Sequence, residues 1–263
     1  MIETISGRYG TISFPSSDQT IGRSLRTYGE WAENEIRFLL KFLHPGDTVL
    51  DVGAYIGTHT LAFASAVGPN GKVCAFEPRP EIFRLLATNV HQNGLDNVVL
   101  RQAAVGAESG FISLPSLDLS APENFGGLSV VGEMAHTGAS AAAATAGSEI
   151  EMLAIDALEL EACRLIKIDV EGAESAVLYG ARGLMSQRRP VFVIELHNPT
   201  QDRKVSELLA ACNYSIFRIN SNVANEAPVL LKINNPGAVW PEPDGVWGGI
   251  VGLPSESVHQ VIH

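Results

Sequence analysis

Short aliphatic runs alternate with helix-patterned stretches through most of this chain, and that rhythm restricts the fold more than any other feature. "TVLDVGA" (48–54), "KVCAFEP" (72–78), "NVVLRQAAV" (97–105), "LIKIDV" (165–170), "PVFVIEL" (190–196) and "YSIFRI" (214–219) read as strands. Their near-continuous hydrophobicity suits strands covered on both faces, as in a parallel sheet. Helical spacing occupies 58–67, 80–92, 172–185 and 203–211, with Pro80 just inside one helix and Asp202 ahead of another. The alternation predicts a doubly wound α/β sheet with helices on both faces. Residues 1–20 are expected to form a small hairpin around "GRYG", then a connection to an amphipathic helix, "EWAENEIRFLLKFL". Residues 1–44 thus read as an extension ahead of one domain over 45–263. A stretch at 115–150, low in bulky residues, reads as a loop insertion between strands near "LSVVGEM" and "EIEMLAI". "NNPGAVWPEPDGVWGGIVGLP" reads as an irregular crossing loop before a final strand near 249–253.

Composition narrows the function class. Hydrophobic residues make up 46% of the 263, so a large core is available, and the formal net charge of −11 argues against a nucleic-acid or anionic-membrane surface. Cys74, Cys163 and Cys212 form no CxxC pair, which suits a reducing cytoplasm better than a disulfide framework or a zinc site. The start, "MIETISGRYGTISF", has neither a basic segment nor an apolar core, so no secretory signal is expected. No apolar run approaches the roughly 20 residues needed to span a bilayer.

In open α/β sheets ligands bind beyond the carboxyl ends of the strands. "DVGAYIG" lies at such an end. Gly53 is expected to let the backbone approach a ligand, Gly57 to let the next helix pack tightly on the strand, and the helix N-terminus to meet an anion. The spacing is GxxxG rather than GxGxxG, and taken alone it fits a structural turn equally well. Glu77, at the end of the second strand, stands where an acid accepts both ribose hydroxyls of a bound nucleoside. A merely solvated carboxylate is the alternative there.

"DVGAYIGTHT", "FEPRPEIFRLLATNV", "LIKIDVEGAE" and "VIELH" together resemble the FkbM family of S-adenosylmethionine-dependent methyltransferases, over about residues 25–220. The resemblance implies the class I methyltransferase fold, a seven-stranded, mostly parallel sheet with one antiparallel strand. It also implies O-methylation of a hydroxyl on a sugar or a secondary metabolite such as a polyketide. By the same resemblance Asp51, Gly53, Ala54, Tyr55, Gly57 and Thr58 form the cofactor turn, and Glu77 with Pro78 holds the ribose. Ala103 and Ala104 lie beside the adenine, Asp169 contacts the cofactor, and Tyr28 and Glu30 help close its site. Tyr55 departs from the family, which more often has asparagine there.

"KIDVEGAE" and "VIELH" supply the chemistry. Lys167, Asp169, Glu171 and Glu174 fall within eight residues, and charges within an aliphatic run are costly unless paired or functional. An ion pair of Lys167 with Asp169 or Glu171 would fix the strand end, and Glu174 looks like a first-turn helix acid. Glu195 and His197 end the neighbouring strand on one face. The expected roles are His197 as general base, with Asp169, Glu171 and Glu195 fixing its tautomer, orienting the hydroxyl or holding a divalent metal. Asn124 and Phe125 are expected at the substrate mouth, where His197 also meets the acceptor. His59 reads as structural. A nicotinamide-dependent oxidoreductase and a non-catalytic binding module are the rival readings; the first wants GxGxxG and the second a ruined turn.

Overall fold

The computed structural model describes residues 1–128, 147–196, 199–222, 229–232 and 246–258. Apart from a front pair, β1 (Ile2–Gly7) and β2 (Gly10–Pro15), its centre is a sheet of β3 (Thr48–Val52), β4 (Lys72–Phe76), β5 (Val98–Arg101), β9 (Leu165–Ile168), β10 (Val191–Glu195), β11 (Tyr214–Asn222), β12 (Val229–Lys232) and β13 (Val246–Pro254). The spatial order is β12-β11-β13-β10-β9-β3-β4-β5. β5, β4, β3, β9 and β10 are mutually parallel, and β13 runs antiparallel between β10 and β11. That is the expected seven-stranded arrangement, with β12 added antiparallel at the outer edge of β11.

Side chains of one parity, including Val49, Val73, Leu165 and Val193, pack with Phe38, Leu39 and Phe63 of α2 (Glu33–Leu40) and α3 (Thr58–Val67). Those of the other parity, including Leu50, Phe76, Ile166 and Phe192, pack with Val177, Leu184 and Leu209 of α5 (Glu174–Tyr179), α6 (Arg182–Gln187) and α7 (Pro199–Ala211). Both faces being covered explains why the strands read as continuous aliphatic runs. Each such side chain contributes about 1.5–3 kcal/mol.

Two expected elements are divided. The run 97–105 breaks at Gln102: β5 stays in the main sheet, whereas β6 (Ala103–Val105) joins β7 (Gly110–Pro115) and β8 (Gly147–Leu153) in a separate three-stranded sheet. The helix expected over 172–185 breaks at Gly180, where a Cβ would stand 2.1 Å from the Gly106 carbonyl oxygen. That close approach fixes the join between α5 and α6. The two paired strands around the 115–150 insertion are β7 and β8; "LSVVGEM" lies, from Ser129 onward, outside the described residues.

At the front, β1 (Ile2–Gly7) and β2 (Gly10–Pro15) form the expected hairpin. The connection after it is itself helical, α1 (Ile21–Tyr28), and buries Ile21 and Leu25. The hairpin docks on α4 (Pro80–Gln92) through Asn89, which is fully buried. Ser13 N–H donates to Asn89 Oδ1 at 2.7 Å, and Asn89 Nδ2 donates to the carbonyls of Ser13 and Ile56 at 2.9 and 2.8 Å. No helix among the described residues is long and apolar enough to cross a membrane.

Candidate active site

The strand order reverses at β3: β4 and β5 follow on one side, β9 and β10 on the other. Crevices open at the carboxyl ends of strands at such a point. Here the crevice is walled by Gly53, Glu77, Ala104, Phe125, Asp169 and Glu171, among others.

Its floor is the turn after β3, which takes positive φ at Gly53 (+81°), Tyr55 (+49°) and Gly57 (+95°). The N–H groups of Gly53 and Ala54 both donate to the Phe76 carbonyl, tying the turn to the end of β4. Glycine is needed at 53 for a reason other than ligand approach. A Cβ there would come within 1.7 Å of the Asp169 carbonyl oxygen, so β3 and β9 could not close up. At Gly57 the close neighbour is Leu86 of α4 rather than the strand; that contact is the tip of a flexible side chain, and the left-handed φ is the firmer constraint. Tyr55 donates its hydroxyl to Asp18 Oδ2 at 2.6 Å, with both groups buried. Nothing local in the sequence signals that link, because the partners are 37 residues apart.

Glu77 ends β4 and is 7% exposed. Arg79 N–H donates to its Oε1 at 2.9 Å and Tyr55 N–H to its Oε2 at 3.2 Å. Burial pushes its carboxyl up to about 7, further than those N–H groups and the Arg79 guanidinium pull it back. Ala103, Ala104 and Val105 form an apolar wall beside it, with Pro78, Ile82 and Phe125 nearby.

A second polar cluster lies on the β9 side. Lys167 is 3% exposed; its Nζ stands 3.0 Å from Asp169 Oδ2 and 3.7 Å from Asp51 Oδ1, and it donates to the Gly53 carbonyl at 3.2 Å. Burial opposes its charge, but the surrounding carboxylates, Asp169 first, outweigh that and hold the ammonium well above the ordinary lysine value. Asp169 is conversely held below the usual carboxylate range. Burial works against that, and Lys167 outweighs it. A hydrogen bond joins the side chains of Asp169 and Glu195, so the ends of β9 and β10 meet there. Glu171 has φ +52° and lines the crevice; a Cβ at Gly127 would stand 3.6 Å from its Oε1, so the 3₁₀ turn Phe125–Gly127 lies against it.

Residues 51–216 match the methyltransferase FkbM domain. The chain belongs to the FkbM methyltransferase family. It is similar to the hexuronic acid methyltransferase AglP of Haloferax volcanii, 26% identical over 215 residues, which cover 82% of each chain. Among solved structures it resembles the methyltransferase FkbM of Methylobacillus flagellatus (TM-score 0.51, 17% identity), covering 80% of this chain but only 44% of that one. It also resembles the O-methyltransferase of Bacillus cereus in complex with SAH (TM-score 0.50, 15% identity), covering 84% of this chain and 80% of that one. By family and fold the protein is an S-adenosylmethionine-dependent methyltransferase.

The crevice of this FkbM domain fits that cofactor. Glu77 presents buried acceptor oxygens where a ribose diol would donate, and the Ala103–Val105 wall offers a flat apolar face to an adenine. Of the expected cofactor contacts, Gly53, Tyr55, Glu77, Pro78, Ala103, Ala104 and Asp169 line this crevice. Asp51 is fully buried beneath the turn, where Thr60 donates to it at 2.6 Å. Ala54 is buried against α4. Thr58 and Glu30 line a different hollow, and Tyr28 is 74% exposed. Phe125 lines the crevice, and Asn124 immediately precedes the 3₁₀ turn that carries it. Glu171 and Asp169 share the crevice, with Glu195 behind Asp169. His197 lies outside the described residues.

Ile21, Arg79 and Leu128 also line the crevice without having been singled out by any motif. Amphipathic spacing around Ile21 and Leu25 was the available signal for the first. His59 is buried, with Nε2 3.4 Å from Glu35 Oε1, a contact between α3 and α2. Among the described residues no group of three or more His, Cys, Asp or Glu is arranged to hold a metal.

Proposed function

We propose that the protein transfers a methyl group to a hydroxyl of a small molecule, a sugar or a sugar-bearing metabolite. The observation that carries this is the anchored carboxylate pair Asp169–Glu195, set at two strand ends beside the Glu77 crevice. The name of the Haloferax relative supports sugar chemistry. S-adenosylmethionine, when bound, supplies an electrophilic methyl group. The chain's own residues do the rest. Glu77 fixes the ribose end, the Gly53–Gly57 turn positions the opposite end, and Lys167 holds Asp169 ionised at the crevice wall. The acceptor oxygen loses its proton as it takes up the methyl group, and in-line placement at about 3–3.5 Å supplies much of the rate. We assign the proton to His197, two residues beyond Glu195, as general base, with Asp169, Glu171 and Glu195 orienting imidazole and hydroxyl. The imidazole contributes about 10²–10⁴-fold.

The test is an assay with S-adenosylmethionine against a panel of sugars and sugar conjugates, with the product's new methyl signal located by NMR. Methyl signals on nitrogen or carbon would overturn the reading. His197→Ala should lower turnover by at least about 100-fold with cofactor affinity unchanged. Repeating the assay with a chelator separates the base from a metal ligand. Turnover that survives chelation supports the base, and turnover lost and restored by one metal assigns His197 with Asp169 and Glu195 to ligation instead.

A further inference from the structure

Asp18 stands between the front hairpin and α1 and is not one of the crevice walls, yet it is 1% exposed. Both of its carboxylate oxygens are bonded. Oδ1 accepts from the Thr20 N–H at 2.8 Å, and Oδ2 accepts from the Tyr55 hydroxyl at 2.6 Å. Its backbone is held as well. Asp18 pairs with Glu123 in an isolated parallel bridge, Gln19 N–H donates to the Glu123 carbonyl at 3.0 Å, and Ser17 Oγ donates to the Leu119 carbonyl at 2.6 Å. A Cβ at Gly22 would come within 2.8 Å of the Asp18 Cβ, so the first turn of α1 packs directly on it.

Tyr55 carries this anchorage into the crevice, which it lines. Its φ of +49° is costly for a residue with a side chain, and such a conformation persists only where the surroundings over-determine it. Here its ring belongs to one buried cluster with Phe14, Ile21, Leu25 and Phe125, and its hydroxyl is fastened to Asp18. Burial, then the Asp18 carboxylate, push that hydroxyl well above its ordinary value, so it stays a donor. In this conformation the Tyr55 N–H donates to Glu77 Oε2 at 3.2 Å. Relaxing φ would rotate the peptide that bears this N–H.

We propose, on the cofactor reading of Glu77 given above, that Asp18 is a positioning residue for cofactor binding. Through the Tyr55 hydroxyl it fixes the backbone donor that orients the Glu77 carboxylate for the ribose. The segment that holds Asp18 also supplies Ile21, and its bridge partner Glu123 lies just before Phe125, so two further crevice walls depend on the same anchorage. The link has an electrostatic signature too. Burial raises the Glu77 carboxyl, the N–H and guanidinium of Arg79 and the Tyr55 N–H lower it, and Asp169 raises it. Displacing the Tyr55 N–H therefore raises it further, and the ionised acceptor is reached only at higher pH.

The experiment titrates the full chain with S-adenosylhomocysteine by calorimetry across a range of pH, for Tyr55→Phe, Asp18→Asn and the double variant. Near neutral pH, Tyr55→Phe should weaken binding roughly tenfold, the worth of one hydrogen bond to a charged acceptor. The pH below which affinity falls should move up by at least about half a unit. Asp18→Asn keeps an acceptor oxygen for the hydroxyl and should retain affinity within about threefold. The double variant should bind no worse than Tyr55→Phe, because both changes act through one link. It is also neutral at position 18, so it should show the same loss and pH shift if Tyr55→Phe alone fails to fold. Affinity and pH profile unmoved in the folded variants overturn the proposal, even where the ligand-free thermal midpoint drops, since the link would then hold the fold and nothing more. An unaltered protein that binds no S-adenosylhomocysteine, or whose affinity ignores Glu77→Ala, would instead overturn the cofactor reading and this role with it.

Discussion

Glu77 serves two ends that oppose each other. Its carboxyl is buried and pushed up to about 7 from 4.5, so the folded state keeps a proton that the unfolded chain releases between those values. Its contribution to stability is therefore fully present below about pH 4.5 and is lost as pH rises to about 7. Urea midpoints of the ligand-free protein should show that decline, and Glu77→Gln should flatten it. Cofactor binding wants the opposite state, the ionised acceptor. Affinity should thus fall by roughly tenfold per unit as pH drops below 7, and Glu77→Ala should cost about 2–4 kcal/mol of binding, read by calorimetric titration. A pH-independent affinity would remove the ribose role. The place of Glu77 at the end of β4, on the crevice wall, was legible because a strand end preceded by a glycine turn is a local pattern. The Tyr55–Asp18 hydroxyl link and the His59–Glu35 contact were not, because each joins residues that only the tertiary fold brings together.

At the scale of elements, the ladder of β3 and β9 ends in a close approach at Gly53 and an ion cluster around Lys167. Gly53→Ala would drive a methyl group into the Asp169 carbonyl, and the resulting protein should be found unfolded or insoluble. Lys167→Met leaves Asp51 and Asp169 facing each other without their cation, which should cost about 3–5 kcal/mol in a urea titration. A loss under 1 kcal/mol would mean that the carboxylates are protonated or hydrated there instead. The strands were readable because both faces of the sheet are covered and their hydrophobicity is unbroken. The division of 97–105 was not: β5 and β6 continue one aliphatic run, and only the partners β4 and β8, far apart in sequence, pull them into different sheets. The break at Gly180 was hidden in the same way, since it answers to the backbone of Gly106.

For the whole molecule, a ligand that binds only the folded state stabilises it in proportion to its occupancy. S-adenosylhomocysteine at 100 times its dissociation constant should add about 2.7 kcal/mol, which for a chain of this length raises the thermal midpoint by roughly 5–10 °C. NAD at the same concentration should leave the midpoint unmoved, and a comparable shift with NAD would revive a dinucleotide reading of the crevice. The docking of the front hairpin carries a consequence of another kind, about time rather than energy. Ser13 bonds to Asn89, and 76 residues separate them. At roughly 5–20 residues per second, the ribosome releases the hairpin about 4–15 s before the helix that receives it. During that interval Ile12 and Phe14, later buried, face water or a chaperone, and the hairpin waits for a helix that is made after it.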